Sequence, residues 1–187
     1  MRSGERDALA GLESKKKEFI EIIRANEGLI HKVTKVYSNS KEDAQDLYQE
    51  IVYQLWKSFS SFRNESKIST WMYRIALNTS IAHLNREKRK RNHVPIDELL
   101  LNKTDTTDTL MDERSEVVFA LIKKLNDIEK GVILLYLEGK TYAEIASITG
   151  FTSSNVGTRL GRIKQKIISQ LLKQVMSLRK TLPIRQK

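Results

Sequence analysis

Between Asn126 and Thr152 the sequence "NDIEKGVILLYLEGKTYAEIASITGFT" is punctuated at regular intervals. Asn126 with Glu129, and Thr141 with Glu144, have the spacing of capping boxes. In such a box a short polar side chain and an acid satisfy each other's orphan backbone donors at a helix start. Gly139 and Gly150 follow the two apolar runs, where a left-handed residue closes a helix. Thr152 is placed to cap a third. This spacing predicts short helices meeting at tight turns. The pair across Gly150, with a basic second member, has the pattern of a helix-turn-helix.

That second member begins "SSNVGTRLGRIKQK", Ser153 to Lys166. On a helical wheel Val156, Leu160, Ile163 and Ile167 share one face. Ser154, Asn155, Thr158, Arg162 and Gln165 lie opposite, with Arg159 and Lys166 on the flanks. Small polar residues at the N-terminal end of such a helix suit contact with base edges in a major groove. The bases farther along suit phosphates, which position without specifying. The candidate duplex contacts are therefore Thr152, Ser153, Ser154, Asn155, Thr158, Arg159, Arg162 and Lys166. Gly157 and Gly161 lie together beside the exposed face, each costing about 1 kcal/mol relative to alanine. Either they let the backbone approach DNA or a neighbouring segment closely, or tertiary packing tolerates them.

Charge agrees with an anionic partner. The 187 residues carry a net charge of +10 and a pI near 9.7, the balance of a nucleic-acid binder or, less often, of a protein at an anionic membrane. With 40% hydrophobic residues, 30% charged and only eight glycines and two prolines, the chain is expected to be helix-rich and globular. No cysteine is present, and His31, His83 and His93 lack ligand spacing, so no metal and no cofactor are expected. The N-terminus has no apolar run fit for a signal peptide, and the longest apolar run, Val132 to Leu137, is far short of the roughly 20 residues that span a bilayer. A soluble, cytoplasmic protein is the expectation.

The charge is unevenly placed. Asn85 to Arg91 holds five bases and one acid, whereas Asn92 to Glu113 holds six acids and Lys103 alone. The second stretch includes Pro95 and the low-complexity run "NKTDTTDT" and reads as a flexible acidic linker. Two readings of it stay open: a spacer kept extended by self-repulsion, or an acidic tether that occupies positively charged nucleic-acid channels. The expected architecture is all-α: a helical domain over 1–91, the linker over 92–113 and a helix-turn-helix domain over 114–187.

In the first domain Phe19, Ile22, Ile23, Leu29, Ile30, Val33 and Val36 recur at three and four, with Asn26 expected to break two helices apart. Ser40 is expected to cap a third helix, whose first turn carries Glu42 and Asp43 and whose buried stripe is Ala44, Leu47, Ile51 and Leu55. A loop, "SSFRNESKIS", and a fourth helix follow. There Trp71 shares a stripe with Ile68 and Ile75, which assigns it to the core, while Arg74 and Asn78 lie off the stripe.

The stretch "DAQDLYQEIVYQLWKSFSSFRNESKISTWMYRIALN", followed by its basic run, resembles region two of the extracytoplasmic-function sigma factors of the sigma-70 family. The stretch "LNDIEKGVILLYLEGKTYAEIASITGFTSSNVGTRLGRIKQKI" resembles their region four. Asn126 stands where that family often has proline. The resemblance covers roughly residues 16–91 and 114–172. It implies a non-enzymatic subunit that binds bacterial RNA polymerase core, at the beta-prime clamp and the beta subunit, and directs it to promoter DNA. Region two would read and melt the −10 element, and region four would read the −35 element as duplex. It further implies an anti-sigma partner, often membrane-anchored, and no small-molecule substrate.

By that resemblance the acidic and amide face of the third helix, Asp43, Asp46, Gln49 and Glu50, docks the polymerase clamp. An acid-rich strip on a basic protein suits a basic protein partner better than DNA. The −10 contacts would come from Phe62, Arg63, Asn64, Ser66 and Lys67 in the loop and from Arg74 and Asn78 on the fourth helix. An extruded base needs an aromatic and an amide. Arg86, Lys88 and Arg89 would track phosphates. The competing class is a helix-turn-helix activator or repressor acting without polymerase membership. It accounts for the second domain but leaves the first unexplained.

Overall fold

A computed structural model describes residues 3–91 and 113–181, with side chains over 9–90 and 116–176. Residues 92–112, nearly all of the expected linker, lie outside that description. All regular structure among the described residues is helical, and the chain divides into two compact units.

The first unit holds α1 (Ser3–Ala25), α2 (Glu27–Tyr37), α3 (Lys41–Phe59) and α4 (Ile68–Arg91). Asn26 separates α1 from α2, as its position in the apolar period suggests. Its side chain does not cap α2. Instead its amide donates to the Ile22 carbonyl at 2.9 Å and closes the end of α1. At the start of α3 the Ser40 hydroxyl accepts from the Asp43 backbone N–H at 3.1 Å, the expected cap.

Helices α2, α3 and α4 pack mutually, while α1 leans on α3. The core is built from Ile30, Val33, Leu47, Ile51, Leu55 and Met72, all sealed from solvent. Burying each such side chain contributes about 1.5–3 kcal/mol. The buried arc of α4 is Met72, Tyr73, Ala76, Leu77, Ser80, His83 and Leu84. It lies beside the stripe of Ile68, Trp71 and Ile75 that periodicity picks out, and those three are only half-buried. Polar residues within the arc obscure it. Ser80 is fully buried because its hydroxyl donates to the Ala76 carbonyl at 2.7 Å, so no unpaired group enters the core.

The second unit holds α5 (Glu113–Lys123), α6 (Asp127–Leu137), α7 (Tyr142–Thr149) and α8 (Ser153–Thr181). Both capping boxes form in full: Asn126 with Glu129 and Thr141 with Glu144. Gly139 and Gly150 take φ of +72° and +77°, the left-handed closure that disfavours any side chain with a Cβ. The Thr152 hydroxyl accepts from the Asn155 N–H at 3.2 Å and caps α8.

Gly131 to Leu135 of α6 are buried in succession, so this helix is enclosed rather than amphipathic. Helix α8 packs on α5, α6 and α7 through Val156, Leu160 and Ile163. It then runs on with Ile168, Leu171, Leu172, Val175 and Met176 exposed.

Candidate nucleic-acid and polymerase interfaces

In the first unit, the strip assigned to polymerase docking divides by environment. Asp46 and Gln49 are exposed on α3. Asp43 and Glu50, one turn to either side, are turned toward α4. Asp43 Oδ1 lies 2.6 Å from His83 Nε2, and its Oδ2 accepts from the Asn39 N–H at 2.7 Å. Glu50 pairs with Arg86 and lies 3.5 Å from His83 Nδ1. His83, only 8% exposed, is thus held between two carboxylates. Sequence reasoning passed over His83 because no pattern within α4 points across to α3.

The basic end of α4 is divided too. Arg86 is committed to Glu50, and Lys90 is bonded to Glu87 at 2.8 Å. The Arg86 hydrogen bond, opposed by partial burial, holds the Glu50 carboxyl below its ordinary 4.5. Glu50 in turn raises Arg86. Arg74, Asn78, Ala82, Asn85 and Arg89 are all exposed at spacings of three and four, so they share one outer face. Lys88 is exposed as well.

The loop between α3 and α4 leaves Arg63, Asn64, Glu65, Ser66 and Lys67 exposed. Asn64 sits at φ 57°, a left-handed conformation that asparagine tolerates better than most residues. Phe62 is half-buried with its ring 5.0 Å from that of Trp71, and Trp71 also contacts Phe59 at 6.5 Å. Trp71 is therefore the floor on which the loop aromatic rests. The loop and α1 border a cleft of ≈ 420 Å³. Lys15, Glu18 and Ile22 of α1 line one side of it, and Phe59, Phe62 and Asn64 contribute to the rest.

In the second unit the N-terminal turns of α8 carry an exposed polar surface: Ser153, Ser154, Asn155 and Thr158. Arg159 is held in place. Its Nε donates to Asn155 Oδ1 at 2.6 Å, and its guanidinium lies 4.3 Å above the Phe151 ring. Thr158 donates to the Ser154 carbonyl at 3.1 Å. Lys166 is ion-paired with Glu129, the same acid that closes the first capping box. Lys164 donates to the Tyr136 hydroxyl at 3.0 Å and is raised chiefly by that bond. Arg162 is exposed and makes no ion pair among the described residues. The two glycines differ. A Cβ on Gly157 would touch the Tyr142 ring at 3.4 Å, whereas one on Gly161 would meet open space.

Among the described residues no cluster of three metal-ligating side chains exists, and no helix is long and apolar enough to cross a membrane.

Known proteins share this organisation. Residues 22–90 match the sigma-70 region 2 family, and residues 115–167 match the sigma-70 region 4 family. The ECF RNA polymerase sigma-E factor of Haemophilus influenzae is 31% identical over 147 residues, covering 71% of this chain and 76% of that protein. The ECF RNA polymerase sigma-E factor of Escherichia coli K12 is 29% identical over 151 residues, covering 73% and 79%. In fold, the chain is similar to the sigma factor RpoE from a Bartonella quintana complex with the anti-sigma factor NepR. That match has a TM-score of 0.65 at 18% identity and covers 84% of this chain and 96% of that one. CnrH, solved with the cytosolic domain of CnrY, matches with a TM-score of 0.60 at 17% identity, over 83% and 88%. With region 2 in the first unit, region 4 in the second and a relative above 30% identity spanning both, the chain belongs to the extracytoplasmic-function RNA polymerase sigma factors, initiation factors that bind polymerase and recognise promoters.

Proposed function

We propose that the two units divide promoter recognition between them. The first docks polymerase core through Asp46 and Gln49 of α3. It reads and opens the −10 element with the loop at Phe62 to Lys67 and with the Arg74, Asn78 and Arg89 face of α4. The second reads the −35 duplex with the first turns of α8. The protein carries out no covalent chemistry and acts in the cytoplasm, where the polymerase is.

The observation that carries this reading is the surface of α8. Its N-terminal turns expose short polar side chains, Ser154, Asn155 and Thr158, beside an arginine immobilised on Phe151. Short polar groups at the start of a basic recognition helix suit base edges, and Arg162 beyond them suits phosphate. An anti-sigma protein is the further partner, as one is for the related RpoE of Bartonella quintana.

Reconstitution tests the reading. The purified chain added to core polymerase is expected to direct transcription from a cognate promoter, with loss of initiation when either element is scrambled. A chain that binds duplex DNA alone and leaves core polymerase undirected is a helix-turn-helix regulator, and that result rejects the proposal.

A further inference from the structure

Four charged or titratable side chains run in a line between α3 and α4. Asp43 and Glu50 stand two turns apart on α3. His83 lies between them, and Arg86 closes the line at Glu50. The line borders both surfaces of the first unit. Asp43 and Glu50 flank the exposed docking residues Asp46 and Gln49. Arg86 stands three residues before Arg89, at the basic end of α4.

The two acids are held unequally. Asp43 is fixed from two sides, by the Asn39 N–H at 2.7 Å and by His83 Nε2 at 2.6 Å. Glu50 has only a long contact with His83 Nδ1, 3.5 Å, and its main partner is Arg86. That guanidinium is half exposed, so solvent screens the pair, and opening it costs a factor of about five at most. A second cation can therefore displace Arg86 from Glu50, whereas Asp43 keeps its partners.

We propose that core docking exchanges the partner of Glu50. A lysine or arginine of the polymerase surface takes the Glu50 carboxylate, and the released Arg86 turns to a phosphate of the promoter strand. In the free chain each group masks the other. This deepens the division of labour proposed for the first unit and rests on it.

Position and charge both favour the exchange. Glu50 lies four residues from Asp46 and next to Gln49, so a basic partner seated on those two brings its cations within reach of it. Arg86, once released, joins the exposed Lys88 and Arg89 on a helix end where Lys90 is already bonded to Glu87. One ion pair within the chain gives way to two across its interfaces. The coupling is reciprocal, so strand contact strengthens docking by the factor that docking strengthens strand contact.

The test uses the full chain with core polymerase, and the holoenzyme with a single-stranded −10 oligonucleotide. Arg86→Ala is expected to raise affinity for core by about two- to fivefold, because Glu50 no longer has to leave an internal partner. A gain of this sign does not arise from misfolding. The same substitution is expected to weaken the holoenzyme's hold on the oligonucleotide and to lower its salt slope by about one. In a Glu50→Gln background Arg86→Ala is expected to give no gain in core affinity, whereas a general effect of removing one positive charge would persist there. Core affinity that is unchanged or lower in Arg86→Ala, or that rises equally in the Glu50→Gln background, overturns the exchange. So does a salt slope that stays at the wild-type value. A wild-type chain that does not bind core overturns the docking reading itself, and the two failures differ in whether the wild type binds.

Discussion

The guanidinium of Arg86 on α4 is ion-paired with the carboxylate of Glu50 on α3, although sequence reasoning assigns the first to DNA phosphate and the second to polymerase. The pair joins two helices that also share the buried core. With Arg86 52% exposed, it is screened by solvent, and its contribution is about 0.2–1 kcal/mol. Because the folded state holds Glu50 below its ordinary 4.5, the contribution is present above that value and is lost as pH falls through the folded value. A double-mutant cycle with Glu50→Gln and Arg86→Ala, read by urea denaturation, is expected to give this coupling at pH 7. It is expected to vanish in acid below the usual carboxylate range. Coupling that grows on acidification would contradict the pairing.

Asp43 and Asp46, three residues apart, are expected to answer mutation differently. Asp46→Lys changes an exposed side chain, so it is expected to abolish capture of core polymerase while shifting the melting temperature by under a degree or two. Asp43→Lys places a cation against His83 and removes the acceptor for the Asn39 N–H, and about 1–3 kcal/mol of stability is expected to go with it. Thermal melts beside pull-downs separate the two. Normal core capture by Asp46→Lys would remove it from the docking surface.

The glycines of the second unit give a graded series. Gly150→Ala forces a Cβ into the left-handed region and is expected to cost about 1–2 kcal/mol. Gly161→Ala is expected to stabilise by up to about 1 kcal/mol, since its Cβ meets nothing. Gly157→Ala makes the same propensity gain and adds a contact with the Tyr142 ring at 3.4 Å, so it is also expected to stabilise by up to about 1 kcal/mol. Should Gly161→Ala also weaken −35 duplex binding severalfold, the bare flank is a point of close approach to DNA. Unchanged binding would make this glycine a tolerated residue.

Arg162 and Lys166 are both cations on α8 with different commitments. Arg162→Ala is expected to weaken binding to all −35 sequences alike and to lower the salt slope by about one. Lys166 must leave Glu129 to reach phosphate, so Lys166→Ala is expected to change affinity less and to release an acid of the α6 capping box. Equal losses and equal salt slopes would show that the Glu129 pair does not hold Lys166 in solution.

Local interactions made much of this protein legible from its sequence. A capping box needs two side chains three residues apart, and a left-handed stop needs one glycine. The boxes at Asn126 and Thr141, the closures at Gly139 and Gly150 and the caps at Ser40 and Thr152 were therefore readable as spacing. So were the core faces of α3 and α8, where apolar residues recur without interruption at helical period. The basic helix after Gly150 was readable for the same reason.

Other features depend on pairs distant in sequence, and only the tertiary structure decided them. Periodicity misplaced the buried arc of α4 because Ser80 and His83 are polar residues made tolerable in the core by partners, one on its own helix and one on α3. The division of the acidic strip into exposed Asp46 and Gln49 and committed Asp43 and Glu50 follows from where α4 lies against α3. The same holds for Lys15 and Glu18, unremarkable charges on α1 until packing of Phe19 sets them beside a loop more than 40 positions away. A helix's own period determines which residues share a face. What that face meets is determined by packing between helices, and there a step of three or four residues along α3 exchanges an exposed carboxylate for a paired one.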